Sequence, residues 1–276
     1  MPAPIVVFDS GIGGLSVLAH IREQLPQSPL VYVCDNAALP YGTKPNEWLN
    51  ARIVAVCEAA VQRVGAGALV VACNTASTLA LDALRERLRI PVIGTVPAVK
   101  PAASLTRTGE IAVLATSATV RRPYLDRLIA EFASHCTVVR IPADGLVTQA
   151  ERLLGGRTVD MAELEAALAP LWAHPRIDTV VLGCTHFPLL RDMFDGITQQ
   201  HAPRRTLQWL DSGAAIARRV KSVLGECLHA FEGTSSFSAM SLATAAEAPG
   251  LSQAMAWAGM PAVTALMVDR PEIALE

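Results

Sequence analysis

Two cysteines stand in closely similar contexts: Cys73 within ACNTAS (72–77) and Cys184 within LGCTHFPLL (182–190). Each follows a short apolar run and opens a polar turn. A thiol has an ordinary pKa of about 8.5, so thiol and thiolate can coexist near neutral pH at modest cost. Inverting a carbon centre needs such a pair, a base on one face and an acid on the other. A helix opening after Cys73, with Leu81, Leu84 and Leu88 on its stripe, sets that thiol at a positive helix end and favours thiolate. Cys184 reads as having the same placement, with His186 two residues on. Asp9, Glu151 and His186 are candidate proton relays; their plainer readings are a helix cap, a solvated helix face and a turn histidine.

The turn Asp9-Ser10-Gly11-Ile12-Gly13-Gly14 approaches a dinucleotide fingerprint but carries Ser16 where the last glycine belongs. Its backbone N–H groups and the Ser10 hydroxyl suit a carboxylate or a phosphate; a tight turn capped by Asp9 is the equal alternative. Tyr41-Gly42 lies in a loop before a helix at Asn46. Cys34, Cys57, Cys136 and Cys227 sit inside apolar stretches and read as core. No CxxC pair occurs, so neither a zinc site nor a short disulfide scaffold is indicated, and no metal is expected. Only Lys44, Lys100 and Lys221 are present, none in a recognisable Schiff-base motif, so no cofactor is expected either.

These turns need strands to carry them. Continuous apolar runs at 5–8, 30–33, 68–71, 92–93, 111–114, 137–139 and 179–182 suit strands buried on both faces of a parallel sheet. Helical stripes lie between them: Leu49, Ile53, Val56, Ala60 and Val64 stop at Gly65, and Tyr124, Leu128 and Phe132 begin another. The segment IVVFDSG (5–11) returns as IAVLATS (111–117), and LVVACNT (69–75) as VVLGCTH (180–186). Two strand-turn modules thus recur in the same order. The expected fold is α/β, two similar doubly wound lobes in a pseudo-twofold relation, facing each other across a cleft. The expected boundaries are 1–96 with 210–276 for the Cys73 lobe and 97–209 for the Cys184 lobe. Ligands of such sheets bind beyond the carboxyl ends of the strands, where all four polar turns fall.

The 276 residues are 51% hydrophobic and 17% charged, the balance of a compact enzyme, and the formal net charge is −2 without a long run of one sign. Nucleic acid and anionic membranes are therefore not indicated as partners. No apolar stretch approaches the roughly 20 residues of a membrane span, and the N-terminus lacks the pattern of a signal peptide; the expectation is a cytoplasmic protein.

The motifs FDSGIGGLSV (8–17), PYG (40–42), ACNTAS (72–77), VPAVKPA (96–102), VLAT (113–116) and LGCTHFPLL (182–190) resemble those of the bacterial glutamate racemases, in the aspartate/glutamate racemase superfamily. The resemblance runs to about residue 225. It implies two α/β lobes with the C-terminal segment returning to the first, and Cys73 and Cys184 as catalytic residues. Asp9 would support the first thiol, and Glu151 and His186 the second. Implied substrate contacts are Asp9, Ser10, Tyr41, Gly42, Asn74, Thr75, Thr116, Thr119, Thr185 and His186. The implied partner is a small molecule, L- or D-glutamate, and the implied role is D-glutamate supply for peptidoglycan; a homodimer is compatible. Ala143-Asp144-Gly145 lacks a cysteine often found there in the family, a departure that touches no expected role, and residues 226–276 are only loosely similar. Three other readings stay open: a racemase for aspartate or another acidic amino acid, a two-lobed protein that binds an acidic ligand without turnover, and a Cys-His hydrolase built on Cys184 and His186.

Overall fold

The computed structural model describes residues 3–228 and 239–268. Its strands are β1 (Ile5–Asp9), β2 (Leu30–Cys34), β3 (Ala68–Val71), β4 (Val92–Gly94), β5 (Glu110–Ala115), β6 (Thr137–Pro142), β7 (Thr179–Leu182), β8 (Gln208–Leu210), β9 (Met240–Ala243) and β10 (Val263–Ala265). The helices are α1 (Leu15–Gln24), α2 (Asn46–Val64), α3 (Asn74–Arg87), α4 (Val99–Leu105), α5 (Ser117–Val120), α6 (Pro123–Phe132), α7 (Gly145–Leu154), α8 (Met161–Trp172), α9 (Arg191–His201), α10 (Gly213–Leu228) and α11 (Leu251–Trp257).

Two parallel sheets form, ordered β10-β9-β2-β1-β3-β4 and β6-β5-β7-β8. The run β2-β1-β3-β4 of the first has the same order as β6-β5-β7-β8 of the second. The internal repeat therefore extends beyond the matched turns to the whole four-strand topology. In both sheets the module that ends in a cysteine, β3 or β7, lies directly beside the strand that precedes the first polar turn, β1 or β5.

The continuous apolar runs follow from double coverage, since neighbouring side chains of a strand point to opposite faces. Ile5 and Val7 pack with Leu15, Leu18 and Ile21 of α1 and with Ile216 and Val220 of α10. Val6 and Phe8 pack with Leu49, Ile53 and Val56 of α2 and with Ala80 and Leu84 of α3. The second sheet is built alike, with Ala112, Leu114 and Val180 against α7 and α8, and Ile111, Val113 and Val181 against α4 and α6. Each fully buried aliphatic or aromatic side chain contributes about 1.5–3 kcal/mol. The α2 stripe ends where expected, because Gly65 takes a left-handed φ of 62° that other residues adopt only with strain.

Strands β9 and β10 extend the first sheet past β2, and α10 lies along α1, so the described part of the C-terminal segment returns to the first half. The chain passes between the sheets after β4 and again after β8, and at these passages the Ser212 hydroxyl donates to the Val96 carbonyl. Cys34 and Cys57 are buried in β2 and α2, as expected of core cysteines. Cys136 departs from that expectation: it is half-buried on the bend before β6. Cys227 lies in α10, its side chain outside the described residues. No helix among the described residues is long and apolar enough to cross a membrane.

Candidate active site

Strand β1 delivers Asp9 to the carboxyl end of the first sheet with no exposed surface. Its Oδ2 accepts the N–H groups of Gly11 (3.3 Å) and Gly14 (3.1 Å), and its Oδ1 accepts the Thr185 hydroxyl (3.2 Å) from the second half. The Ile12 N–H donates to Glu151 Oε1 at 3.0 Å. At least three N–H groups of this turn are thus satisfied by the protein's own carboxylates, so of the two readings of the segment the tight turn held by Asp9 is the one the structure takes. The glycines have a steric reason as well. A Cβ on Gly13 would stand 2.6 Å from Thr185 Oγ1 and 2.7 Å from His186 Cε1, and one on Gly11 would collide with Glu151. Burial raises the pKa of Asp9, against His186 and the two glycine N–H groups, which lower it.

Cys73 lies two residues beyond β3 and is the N-cap of α3. Its Sγ is 3.6 Å from Ser10 Oγ and also takes the Ala76 N–H. Burial and the charge of Asp9 push this thiol up to about 12, against the Ala76 N–H and the Ser10 hydroxyl. The expectation of a thiolate at the helix end fails here because loss of water outweighs the helix-end N–H.

Cys184 also follows its strand by two residues, yet what comes next differs: Phe187–Leu190 form a 3-10 turn and α9 starts only at Arg191. Pro188 at the head of that turn lacks an N–H to continue a helix ladder back to Cys184. The two placements are therefore alike in topology and unlike locally. Cys184 Sγ is 3.7 Å from His186 Nδ1, and His186 Nε2 is 2.9 Å from Glu151 Oε1. Burial disfavours charge on His186, but Cys184 and Glu151 outweigh it and hold the imidazole well above its usual value. Burial likewise opposes charge on Glu151, yet His186, the Ile12 N–H and Arg157 hold it below the usual carboxylate range. The Ser16 hydroxyl lies 2.9 Å from the Thr185 carbonyl, a further bond between the halves.

Between the strand ends lies a cavity lined from one side by Ser10, Tyr41, Gly42, Cys73, Asn74 and Thr75 and from the other by Thr116, Thr119, Cys184, Thr185 and His186. Asp9 and Glu151 lie behind this lining and reach it through Thr185 and His186. Leu39, Pro40, Val147 and Gly183 complete the wall. Pro40 and Gly183 fall within the PYG and LGCTHFPLL motifs, whereas no sequence signal marked Leu39 and Val147, because apolar surfaces carry no distinctive chemistry. The wall contains no lysine or arginine. Negative groups of a ligand there meet hydroxyls, the Asn74 amide, helix-end N–H groups and His186. Asn74 Oδ1 is buried without a hydrogen-bond partner, an acceptor suited to an ammonium group. The Tyr41 hydroxyl is engaged by Asp35 at 2.8 Å and is not offered to the cavity.

A cavity that receives one thiol from each sheet is the geometry that inversion of a carbon centre requires. The family model described as Asp/Glu/Hydantoin racemase matches residues 10–220. The chain belongs to that family. This racemase is 51% identical over 221 residues to the glutamate racemase of Sphingopyxis alaskensis, covering 79% of this chain and 81% of that one. Among solved structures, Escherichia coli glutamate racemase in complex with L-glutamate and activator UDP-MurNAc-ala matches with a TM-score of 0.86, 41% identity, and coverage of 97% and 99%. Glutamate racemase isoform RacE1 from Bacillus anthracis matches with a TM-score of 0.81 and 29% identity, over 96% and 97%. The resemblance drawn from the motifs and the two-lobed α/β class agree with these findings. Racemases are isomerases.

Proposed function

We propose that this racemase interconverts L- and D-glutamate by proton transfer between Cys73 and Cys184, with no cofactor. The observation that carries the reading is the single cavity lined by both thiols. The likeness to glutamate racemases, one of them solved with L-glutamate, supports the substrate. In the L-to-D direction the Cys184 thiolate takes the α-proton and the Cys73 thiol protonates the opposite face. This leaves Cys184 as thiol and Cys73 as thiolate, the state that D-glutamate requires in return. Its high pKa keeps Cys73 protonated in the empty site, ready as the acid for L-glutamate.

His186 is a charged donor beside a sulfur that carries negative charge during the transfer, and Glu151 holds its ring in place. The carbanion is supported by fixed dipoles of the surrounding hydroxyls, amide and helix-end N–H groups. The product fits a role in supplying D-glutamate to peptidoglycan. A cytoplasmic setting suits an enzyme whose described cysteines are all unpaired, since reducing compartments keep thiols free.

Racemisation in deuterated water tests the two-base step, with glutamate and aspartate offered separately. Newly formed D-glutamate is expected to carry solvent deuterium from its first appearance, while remaining L-glutamate stays protiated at low conversion. Product that keeps its original α-proton overturns the paired roles, and faster turnover of L-aspartate overturns the substrate.

A further inference from the structure

Behind Tyr41 the cavity wall is anchored in a buried polar hub that draws on both ends of the chain. Asp35, just past β2, has no exposed surface. Its Oδ2 accepts the Tyr41 hydroxyl (2.8 Å) and Arg52 Nε–H (3.0 Å); its Oδ1 accepts Arg52 Nη2–H (2.7 Å) and the Thr244 hydroxyl (2.7 Å). Thr244 Oγ1 also accepts the Ala37 N–H at 3.1 Å. Beside it, the Asn36 amide donates to the Ala245 carbonyl and accepts the Ala245 N–H, each at 2.9 Å.

A C-terminal segment that only completed the sheet would need nothing beyond the ladder between β2 and β9, whose last pair is Cys34 with Ala243. The side-chain bonds begin where that ladder stops, and they run to the loop that presents Tyr41 and Gly42 to the cavity. Residues 244 and 245 also lie beyond the span matched by the family model.

We infer that Thr244 is a positioning residue for the cleft: through Asp35 it fixes Tyr41, and with it Gly42, so the C-terminal strand is a working part of the site. This rests on the cavity being the glutamate site. The hub acts on a loop of that wall that itself carries neither thiol, so its loss falls on KM more than on kcat.

Thr244→Val removes one donor and one acceptor at similar volume. It is expected to raise KM for L-glutamate about three- to tenfold, the net size of one hydrogen bond, with a smaller change in kcat. Thr244→Ser restores the wild-type value. Tyr41→Phe raises KM alone, and in that background Thr244→Val adds nothing further, an outcome that general loosening of the fold does not produce. Asn36→Ala, which cuts the bonds to Ala245, is expected to behave in the same way and carries the test if Thr244→Val does not fold. Folded variants with wild-type KM, or rises of equal size with and without Tyr41→Phe, overturn the inference. Wild-type protein that fails to racemise glutamate overturns the substrate reading instead, so the two failures are told apart.

Discussion

Cys73 and Cys184 reach one cavity from equivalent points of two sheets with the same strand order, and each is served by a different kind of partner. Cys73 is buried at the head of a helix, and the groups that touch it, a serine hydroxyl and a backbone N–H, are neutral. Cys184 is half-buried in a non-helical turn beside an imidazole that Glu151 holds, while Glu151 is itself held by the Ile12 N–H of the other half. A repeated topology delivers two sulfurs. Different side chains then give one a proton to donate and the other a charged neighbour, which is the inequality a resting racemase needs.

The harshest way to break that comparison is to remove either sulfur. Cys73→Ser and Cys184→Ser are each expected to lower racemisation by about 10²–10⁴-fold or more while leaving the circular-dichroism spectrum of the fold unchanged, because serine is too weak an acid for the task. A folded variant that retains substantial activity sinks the two-thiol assignment. His186→Gln comes next, with a loss in kcat/KM of about ten- to hundredfold, the range for a hydrogen bond to a charged group. Ser10→Ala is milder, about three- to tenfold, since it removes a neutral partner. Equal losses for these two would erase the distinction drawn between the sites. The enantiomers have equal free energy, so kcat/KM must fall equally in both directions for every variant, an internal check on the assay.

The smallest effect is on stability. Glu151 has a lowered pKa, so its contribution is present above the ordinary glutamate value of about 4.3 and is lost as pH falls through the lowered one. His186 has a raised pKa, so its contribution is complete below about 6.5 and is lost as pH rises through the raised value. Both are therefore in force between about pH 5 and 6.5. Glu151→Gln is expected to lower Tm most in that window, and a deficit that widens toward alkaline pH breaks the pairing.

The first seven strands were legible because each is an apolar, β-branched run. Strands β1, β2, β3, β5 and β7 are buried on both faces as expected, whereas the edge strands β4 and β6 are only partly covered, a correction to the expectation for 92–93 and 137–139. Strands β8, β9 and β10 escaped notice, being three or four residues long and mixed in composition, as in MSLA at 240–243. Both cysteine turns were legible from their residues and their repetition. The environment of Cys73 was not: helix placement argues for thiolate, whereas burial depends on packing that only the assembled halves provide. Glu151 shows the same limit, since its partners Ile12 and His186 lie 139 and 35 residues away. Asp35 carried no local signal, because its four donors come from Tyr41, Arg52 and Thr244.

The two passages of chain between the halves, tied by Ser212 and Val96, also have a mechanical consequence. One linking segment would let the halves swivel in any direction. A pair fixed side by side resists sliding and twisting and leaves bending about one line as the soft motion. Any parting of the halves along that line must first release the contacts of Thr185 with Asp9 and Ser16 and of Ile12 with Glu151. Such a parting strips Glu151 of its backbone donor and Thr185 of its carboxylate, while Cys184, His186 and Glu151 travel together as one body.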